Sequence, residues 1–397
     1  MTVEEFRILT HDKVRETIEA NLHTDPAAFA LRGGDFPAPL LATQLKYLQR
    51  ARHKLPSYYN KRCIIPPRAY EQASSERSAA LKTYTGTHCL DLTTGLGVDL
   101  LHLSRGFAHA TGLESDPVLA AVTRYNLQQL GATDIAIRHT SAEAFLSTYT
   151  GPHFDLVFAD PDRRPAQGQR VAGIRDCQPD ILTLLPAIAR VARRLLVKLS
   201  PLLDLAELAR LFPGCERLSV VSIDGEVKEV LIDLPFDTPA PIPRLEVIAD
   251  RGKARRYLFD WPPTAGTEMP PPTDIAGIFE PDAAFYHARC IPDLLSRHPH
   301  TLVLNHPRGF AFAATPLPAD LPGRSFAVHD AQPYRPRALR KWLAQQGIDR
   351  AHILQRHFPD SAATIRKALG LAEGGTDFLI CTTWGREHWL YRATRLS

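Results

Sequence analysis

A turn with two glycines lies within the sequence His88-Cys-Leu-Asp91-Leu-Thr-Thr-Gly95-Leu-Gly97-Val-Asp99. The apolar residues before the turn predict a short strand, and those after it predict a helix. Glycines allow a backbone to turn sharply and to approach a ligand closely. The GxGxxG fingerprint, which places glycines against a pyrophosphate, is absent. Asp91 precedes the turn by four residues, and a carboxylate at this position would repel pyrophosphate but suit a cationic ligand.

Strand and helix patterns alternate on both sides of this turn. Such alternation implies right-handed βαβ crossovers and a parallel sheet covered on both faces. The predicted fold class is therefore α/β, with a Rossmann-like doubly wound sheet. The predicted strands are 88–92, 109–113, 135–138, 154–159 and 194–199, with a closing pair at 218–223 and 227–234, and the predicted helices are 98–106, 117–130, 142–148, 180–191 and 203–211.

Further regions flank this sheet domain, which we place at residues 81–235. Residues 1–80 read as a helical region, and the proline-rich stretch 236–273 reads as a linker with one hairpin at 245–249 and 256–261. Residues 274–397 read as a smaller α+β region, in which helices are predicted at 338–346 and 361–369 and strands at 301–305, 351–355, 378–382 and 388–392.

Composition excludes several classes of protein. The chain has 397 residues, of which 44% are hydrophobic and 23% charged, so a disordered chain is excluded. No run of 18 apolar residues predicts a membrane span, and the first residues lack the pattern of a signal peptide. The six cysteines form no CxxC pair, and no histidine stands at metal-ligand spacing, so we expect neither a disulfide framework nor a metal. A cytoplasmic location is the expectation. The net charge of +4 is too small to indicate a nucleic-acid partner.

A second polar cluster ends the fourth predicted strand, in the sequence Leu156-Val-Phe-Ala-Asp160-Pro161-Asp162-Arg163-Arg164. In a doubly wound sheet this strand lies beside the first, across the switch point. A carboxylate and a nearby backbone carbonyl can accept hydrogen bonds from an amino group and orient its nitrogen lone pair. The guanidinium plane of Arg163 or Arg164 can stack on a base or bind phosphate, or it can form a structural salt bridge.

Lys198 ends the fifth predicted strand and faces the same crevice. It can contact a substrate phosphate, or it can pair with Asp204. The segment Glu71-Gln-Ala-Ser-Ser-Glu76 precedes the first strand. It can close over a cofactor, or Ser74 or Ser75 can simply cap a helix.

The glycine turn resembles motif I of class I methyltransferases, Asp-x-x-x-Gly-x-Gly. The resemblance implies S-adenosylmethionine as cofactor, with Glu114 holding the two ribose hydroxyls and the segment after the third strand binding adenine. The family often has Asp where Ser141 stands, and Glu143 can compensate for this difference. The implied cofactor-binding residues are Asp91, Thr93, Gly95, Gly97, Glu114, Ser141, Ala142 and Glu143.

The Asp160 cluster resembles motif IV of amino-group methyltransferases, Asp-Pro-Pro-Tyr or Asn-Pro-Pro-Trp. The resemblance implies catalytic roles for Asp160, Pro161 and Asp162, with Arg163, Arg164 and Lys198 on the substrate side. Asp162 replaces the second proline of the motif, and Arg163 replaces its aromatic residue. We expect Asp162 to orient an arginine rather than touch the substrate.

The whole chain resembles bacterial class I methyltransferases with a C-terminal THUMP-like domain. This resemblance implies a ferredoxin-like domain at 274–318 and a THUMP-like domain at 319–397. Its methyltransferase half also looks like a distant relative of RNA-cap guanine-N2 methyltransferases. Because known THUMP domains bind RNA, the architecture implies an RNA substrate by analogy. The supporting segments are Lys54-Leu-Pro, Glu71–Glu76, Asp160–Arg164, Val197-Lys-Leu-Ser-Pro201, Gly225-Glu-Val-Lys-Glu229 and Phe279-Glu-Pro-Asp282.

Residues 46–70 combine basic and aromatic side chains. Positive charges suit phosphates and rings suit bases, so the segment is typical of a nucleic-acid surface, although a solvated helix face followed by a loop has the same pattern. A second basic run lies at 335–341. The side chains of the first segment are Lys46, Arg50, Arg52, Lys54, Lys61, Arg62 and Arg68, with Tyr47, Tyr58, Tyr59 and Tyr70 between them.

The sequence therefore predicts an S-adenosylmethionine-dependent methyltransferase that acts on a base nitrogen of RNA. One alternative is methylation of a small molecule or a protein. Another is a non-catalytic RNA-binding protein that keeps the cofactor fold. An NAD-dependent dehydrogenase is disfavoured by the missing third glycine and by the acid before the turn.

Overall fold

The computed structural model describes residues 1–32, 36–163, 174–238, 242–265, 274–298 and 302–396. The chain divides into two compact units. The first contains Met1–Leu218 and Lys228–Pro243, and the second contains Ser219–Val227 and Arg244–Ser397.

The first unit has the expected α/β sheet. Its strand order is β3-β2-β1-β4-β7-β9, in which β1, β2, β3, β4 and β7 pair in parallel and β9 is antiparallel to β7. The direction of winding reverses between β1 and β4, so the carboxyl ends of these two strands border one crevice. The strands are β1 (Gly86–Asp91), β2 (Phe107–Glu114), β3 (Ile135–His139), β4 (Leu156–Ala159), β5 (Asp162–Arg163), β6 (Cys177–Gln178), β7 (Arg194–Leu199), β8 (Arg217–Ile223) and β9 (Glu226–Pro235), of which β5 and β6 form a separate two-stranded ribbon.

The described residues before β1 form seven helices, which share a core with the helices that follow the glycine turn. Leu45 and Leu48 of α4 and the fully buried Tyr58 of α5 lie in one cluster with Leu100 and Leu127. The N-terminal region therefore packs against the helices that follow the glycine turn. The helices of the first unit are α1 (Val3–Thr10), α2 (Asp12–Ala20), α3 (Pro26–Ala30), α4 (Ala38–Lys54), α5 (Pro56–Asn60), α6 (Pro67–Gln72), α7 (Glu76–Ala80), α8 (Val98–Leu103), α9 (Pro117–Gln129), α10 (Ala142–Thr148), α11 (Ile181–Val191) and α12 (Leu205–Leu211).

The second unit contains a seven-stranded mixed sheet with the order β13-β14-β12-β15-β18-β17-β16. The hairpin expected between the proline clusters is present as β10 and β11, and β10 neighbours β8. The bounds of the remaining elements are β10 (Arg244–Asp250), β11 (Ala254–Asp260), β12 (Gly277–Pro281), α13 (Ala283–Ala288), α14 (Ile291–Leu295), β13 (Val303–Leu304), β14 (Ala311–Ala313), β15 (Gly323–Pro333), α15 (Pro336–Gln345), β16 (His352–Gln355), α16 (Ala362–Leu369), β17 (Asp377–Trp384) and β18 (Glu387–Arg395).

The sequence did not predict β12 or the 11-residue strand β15. Only one residue of β15, Phe326, is buried, so its apolar pattern is weak. It is held instead by backbone pairing, because β12 lies on one side and β18 on the other. One sheet thus contains strands from both stretches, 274–318 and 319–397, that the sequence analysis treated as separate domains.

Membrane and metal features are absent from the described ranges. None of the helices there has both the length and the apolar character needed to cross a bilayer. The same ranges contain no cluster of three or more His, Cys, Asp or Glu side chains that could hold a metal ion. All six cysteines are buried free thiols.

Candidate active site

A cleft of about 970 Å³ lies at the carboxyl ends of β1, β2, β3 and β4. It brings together most of the residues that the sequence singled out. Gly97, Pro161 and Lys198 do not line it, and Arg164 and the side chain of Arg163 lie outside the described residues. The predicted site residues on its wall are Asp91, Thr93, Gly95, Glu114, Ser141, Ala142, Glu143, Asp160 and Asp162.

The glycine turn has left-handed backbone at Gly95 (φ 54°) and Gly97 (φ 79°), which explains why glycine occupies both positions. Gly97 is the N-cap residue of α8, and a Cβ added there would lie 3.1 Å from Thr123 Cγ2. The Thr123 hydroxyl donates to the Gly95 carbonyl at 2.6 Å, and the Tyr58 hydroxyl donates to the Leu96 carbonyl at 2.9 Å. Gly97 therefore shapes the turn, and its direct contact with a cofactor stays a prediction.

Asp91 ends β1 and is almost completely buried. Its Oδ1 accepts a hydrogen bond from the Thr93 backbone N–H at 2.9 Å. Burial raises the pKa of Asp91 to about 8. Among the described side chains, no lysine or arginine forms an ion pair with it. A cationic ligand group in the cleft would therefore supply the charge that this carboxylate lacks.

Glu114 ends β2 and faces the glycine turn. Its Oε2 accepts from the Gly95 N–H at 3.0 Å, and its Oε1 accepts from the Asp116 N–H at 2.8 Å. Burial raises the pKa of Glu114, and these two backbone donors oppose that effect. Each carboxylate oxygen can accept a second hydrogen bond, so the group is fixed in orientation and still has acceptor capacity for a diol.

Ser141, Ala142 and Glu143 begin α10, directly after β3. Ser141 is the N-cap residue, and its hydroxyl accepts from the Ala144 N–H at 3.2 Å. This explains why a short polar residue stands here, because capping satisfies a free donor of the first helical turn. Adenine recognition by this segment stays a prediction.

Asp160 follows β4, and its backbone N–H donates to the Thr93 hydroxyl at 2.7 Å. This bond joins the ends of β1 and β4 at the switch point. The Asp160 side chain is 30% exposed and forms an ion pair with Lys198. Burial raises the pKa of Asp160 to about 6, although the Lys198 ammonium lowers it.

Asp162 lies on β5 and lines the cleft beside Asp160. Its Oδ2 accepts from the Gln72 side-chain amide at 2.7 Å. We expected this carboxylate to orient an arginine, but the side chains of Arg163 and Arg164 lie outside the described residues, so this expectation stays a prediction. Pro161 is buried and is not among the residues that line the cleft, and its catalytic role stays a prediction.

Lys198 differs from both sequence expectations. Its side chain is only 12% exposed and pairs with Asp160, while its Nζ donates to the Ser74 hydroxyl at 2.7 Å and lies 3.8 Å from Asp99 Oδ2. Asp204 caps α12 by accepting from the Ala206 N–H. Neither expected contact of Lys198 is among those that the structure describes, and direct contact with a substrate phosphate stays a prediction.

Sequence reasoning missed the buried side chains behind Asp160. Asp99 and Glu229 are within quoted segments but received no role, and Ser74 was considered only as a helix cap. Lys82 was not singled out. A lysine that is completely buried requires acidic partners, but no local pattern identifies which acids these are.

The basic and aromatic segment 46–70 is only partly what the sequence predicted. Tyr58 and Tyr70 are buried, so base stacking by these two rings is wrong. Arg50 pairs with Glu71 at 2.6 Å and lies over the rings of Tyr47 and Tyr70. The exposed cations that remain are Lys46, Arg52, Lys61 and Arg68.

Comparison with known proteins agrees with this geometry. Residues 77–169 match the family model described as "Conserved hypothetical protein 95", and residues 323–395 match the model described as "THUMP domain-like". Two Mycobacterium tuberculosis proteins, from strains CDC 1551 and H37Rv, are each 27% identical over 343 residues. This alignment covers 84% of the chain and 89% of each relative, and both are named uncharacterized S-adenosylmethionine-dependent methyltransferases.

A solved structure is similar over its full length. The crystal structure of a methyltransferase candidate from Porphyromonas gingivalis W83 aligns with a TM-score of 0.86 and 24% identity, covering 100% of both chains. This chain has the fold and the relatives of an S-adenosylmethionine-dependent methyltransferase. The predicted fold class, resemblance, enzyme class and cofactor are thereby confirmed.

Proposed function

We propose that this methyltransferase transfers the methyl group of S-adenosylmethionine to a base nitrogen of RNA. The observation that carries this proposal is the position of Asp160, which lines the cleft where β1 and β4 end and is tied to β1 through Thr93. A carboxylate at this place can accept a hydrogen bond from an amino group. The cofactor would supply an activated methyl on its sulfonium, so catalysis by the protein consists mostly of positioning.

Each part of the cofactor has a candidate partner on the wall of the cleft. Asp91 would accept from the ammonium of the methionine end, because it is a buried acid without a described ion pair. Glu114 would accept from the ribose hydroxyls, and Ser141, Ala142 and Glu143 would border the adenine.

Asp160 would hold the target nitrogen by accepting one of its N–H bonds. The nitrogen lone pair would then point toward the methyl group. Removal of a proton before transfer is unnecessary, because an amine that attacks with its lone pair can lose the proton afterwards to water.

The RNA part of the proposal is supported by the second unit. Residues 323–395 match the THUMP-like model, and α15 lies within that range. Lysine and arginine at a protein surface bind phosphate. Four cations on or beside this helix are exposed, namely Arg335, Arg337, Arg340 and Lys341.

A protein or small-molecule amine is the second candidate substrate, and the charge of the cleft favours it. Of its described lining residues nine are acidic, whereas only Arg68 and Arg175 are basic. An acidic wall repels phosphates and attracts ammonium groups. The acidic residues are Asp91, Asp99, Glu114, Asp116, Glu143, Asp160, Asp162, Asp176 and Asp180.

Transfer of labelled methyl separates the two candidates. The protein and labelled S-adenosylmethionine are incubated with total RNA, and separately with total protein, from a strain that lacks this enzyme. We expect label in RNA, located by nucleoside mass spectrometry, and binding to that RNA should weaken steeply as salt rises. Label in protein alone would support the second candidate, and Asp160→Asn is the control for contaminating activity.

A further inference from the structure

A buried ion cluster extends inward from Asp160, which is one of its members. It joins side chains from five segments that are far apart in sequence but meet at one end of the sheet. The buried ion cluster consists of Ser74, Lys82, Asp99, Asp160, Lys198 and Glu229.

Lys198 is the member that contacts Asp160. Ala159 and Val197 are the last pair of the β4–β7 ladder, and Asp160 and Lys198 follow them by one residue each. The register thus places the two side chains at neighbouring strand ends. Ser74 accepts from Lys198 at 2.7 Å and donates to Asp99 Oδ2 at 2.6 Å.

Lys82 and Glu229 complete the buried ion cluster on the side away from Asp160. Lys82 is fully buried and lies 3.0 Å from Asp99 Oδ1 and 2.6 Å from Glu229 Oε1. Although burial lowers the pKa of Lys82, the two carboxylates outweigh it, so its pKa is raised and the side chain remains charged. Burial likewise opposes ionisation of Asp99, but Lys82 and Lys198 bring its pKa down to about 2.

The charges of the cluster do not cancel. Three carboxylates face two lysines, so the fully ionised cluster carries one excess negative charge. Asp160 is the partly exposed acid at the cleft, whereas Asp99, which lies near both lysines, and Glu229, which pairs with Lys82, are buried. Lys198 is therefore the cation that permits a carboxylate at the cleft to stay ionised despite its loss of water.

We propose that Lys198 is a positioning residue, which with Ser74 and Asp99 holds the Asp160 carboxylate in place and in its ionised form. The inference rests on the proposed function, in which Asp160 holds the target amino group. It replaces the substrate-phosphate role expected of Lys198 from sequence. The charged groups around Asp160 come from β1 (Asp91), α8 (Asp99), β7 (Lys198) and β9 (Glu229), and Lys198 is the cation among them.

Titration of the Asp160 carboxyl tests this role without any substrate. Carbon-13 NMR of aspartate-labelled protein reports the carboxyl signal, and Asp160→Asn assigns it. We expect Lys198→Met to raise the pKa of Asp160 by about 1–3 units, the usual effect of losing an adjacent opposite charge. Lys228→Met is the matched control, because Lys228 is an exposed lysine beside Glu229 on the same strand, and it should leave the titration unchanged. An unchanged Asp160 titration in Lys198→Met would overturn the proposal.

Kinetics supply the second measurement. In single-turnover methyl transfer, the acidic limb of the pH profile should move to higher pH in Lys198→Met, while affinity for S-adenosylhomocysteine stays within about 2-fold. A loss of affinity larger than the loss of rate would contradict a positioning role. If the wild type transfers methyl to neither RNA nor protein, the proposed function fails, and the titration still decides the role of Lys198.

Ser74→Ala covers the case in which Lys198→Met does not fold. It removes no charge but deletes the hydroxyl that lies between Lys198 and Asp99. We expect transfer to slow by about 10-fold, the lower end of the usual scale for one hydrogen bond to a charged group. Normal rates together with an unchanged Asp160 titration in this variant would count against the proposal.

Discussion

Asp91 and Asp160 end neighbouring parallel strands, and both are acids with raised pKa values, but their surroundings are opposite. Asp91 has backbone and hydroxyl donors from Thr93 and no ion pair among the described side chains. Asp160 has Lys198 against its carboxylate. Burial raises the pKa of Asp91 to about 8 and that of Asp160 to about 6, and the Lys198 ammonium is the largest effect that lowers the pKa of Asp160.

This contrast indicates two kinds of binding site. A buried acid without a cation is suited to a ligand that brings its own positive charge, as the ammonium of the cofactor does. A buried acid with an internal cation stays ionised near neutral pH and can accept a hydrogen bond from a neutral amino group. The two halves of the cleft thus differ in the charge of the group that each can bind.

The largest expected effect is on turnover in Asp160→Asn. The substitution keeps the size of the side chain but removes its charge, so methyl transfer should slow by about 10²–10³-fold. Affinity for S-adenosylhomocysteine should hardly change. Asp162→Asn, whose described partner is Gln72, is the matched variant and should lose much less. If Asp160→Asn were fully active and Asp162→Asn inactive, the two roles would be reversed.

Asp91→Asn should have its main effect on cofactor affinity. Loss of a charge-assisted hydrogen bond should weaken S-adenosylhomocysteine binding by about 1–3 kcal/mol, measured by calorimetry. Glu114→Ala should weaken it by a similar amount. A wild-type affinity in both variants, or a preference for NAD, would contradict the assignment of this half of the cleft.

The same two variants should differ in the stability of the free protein. The pKa of Asp91 is higher in the folded state than in the unfolded state, so ionisation of Asp91 destabilises the folded protein. This destabilisation begins as the pH rises above the ordinary pKa of an aspartate, and it grows until about pH 8. Asp91→Asn should therefore raise the melting temperature, and more at about pH 7.5 than at about pH 5. Glu114→Ala should lower it, because the N–H groups of Gly95 and Asp116 lose their acceptor. If both variants lowered the melting temperature equally, burial of the Asp91 carboxylate would not be destabilising the folded protein.

The smallest expected effect is the pH dependence of binding in the wild type. A bound ammonium favours the ionised form of Asp91, so affinity for S-adenosylhomocysteine should rise a few-fold between about pH 6 and pH 8, with release of a fraction of a proton. Calorimetry in buffers of different ionisation enthalpy measures that proton. The affinity of Asp91→Asn for S-adenosylhomocysteine should not change with pH. If the affinity of the wild type were also independent of pH, the difference drawn between Asp91 and Asp160 would be wrong.

Much of the first unit could be predicted locally. Helix α10 and strand β7 begin and end where the sequence placed them, because each is a short apolar segment with clear polar boundaries. Asp91, Glu114 and Asp160 were placed at strand ends, and the structure brings them to one cleft. Strand β15 was missed because the pairing of its backbone, rather than its side-chain pattern, determines its structure.

The sequence by itself determined the alternation of strands and helices, the glycine turn and the acids that end the strands, since each depends on residues close together in the chain. Only the tertiary structure decided which charges meet. Ser74 and Lys198 are 124 residues apart in sequence, and their hydrogen bond exists because β7 packs beside β4 and the segment before β1 folds over both. The burial of Tyr58 and Tyr70 was decided in the same way. Desolvation and ion pairing depend on what surrounds a side chain in space, and that is set by packing between distant segments.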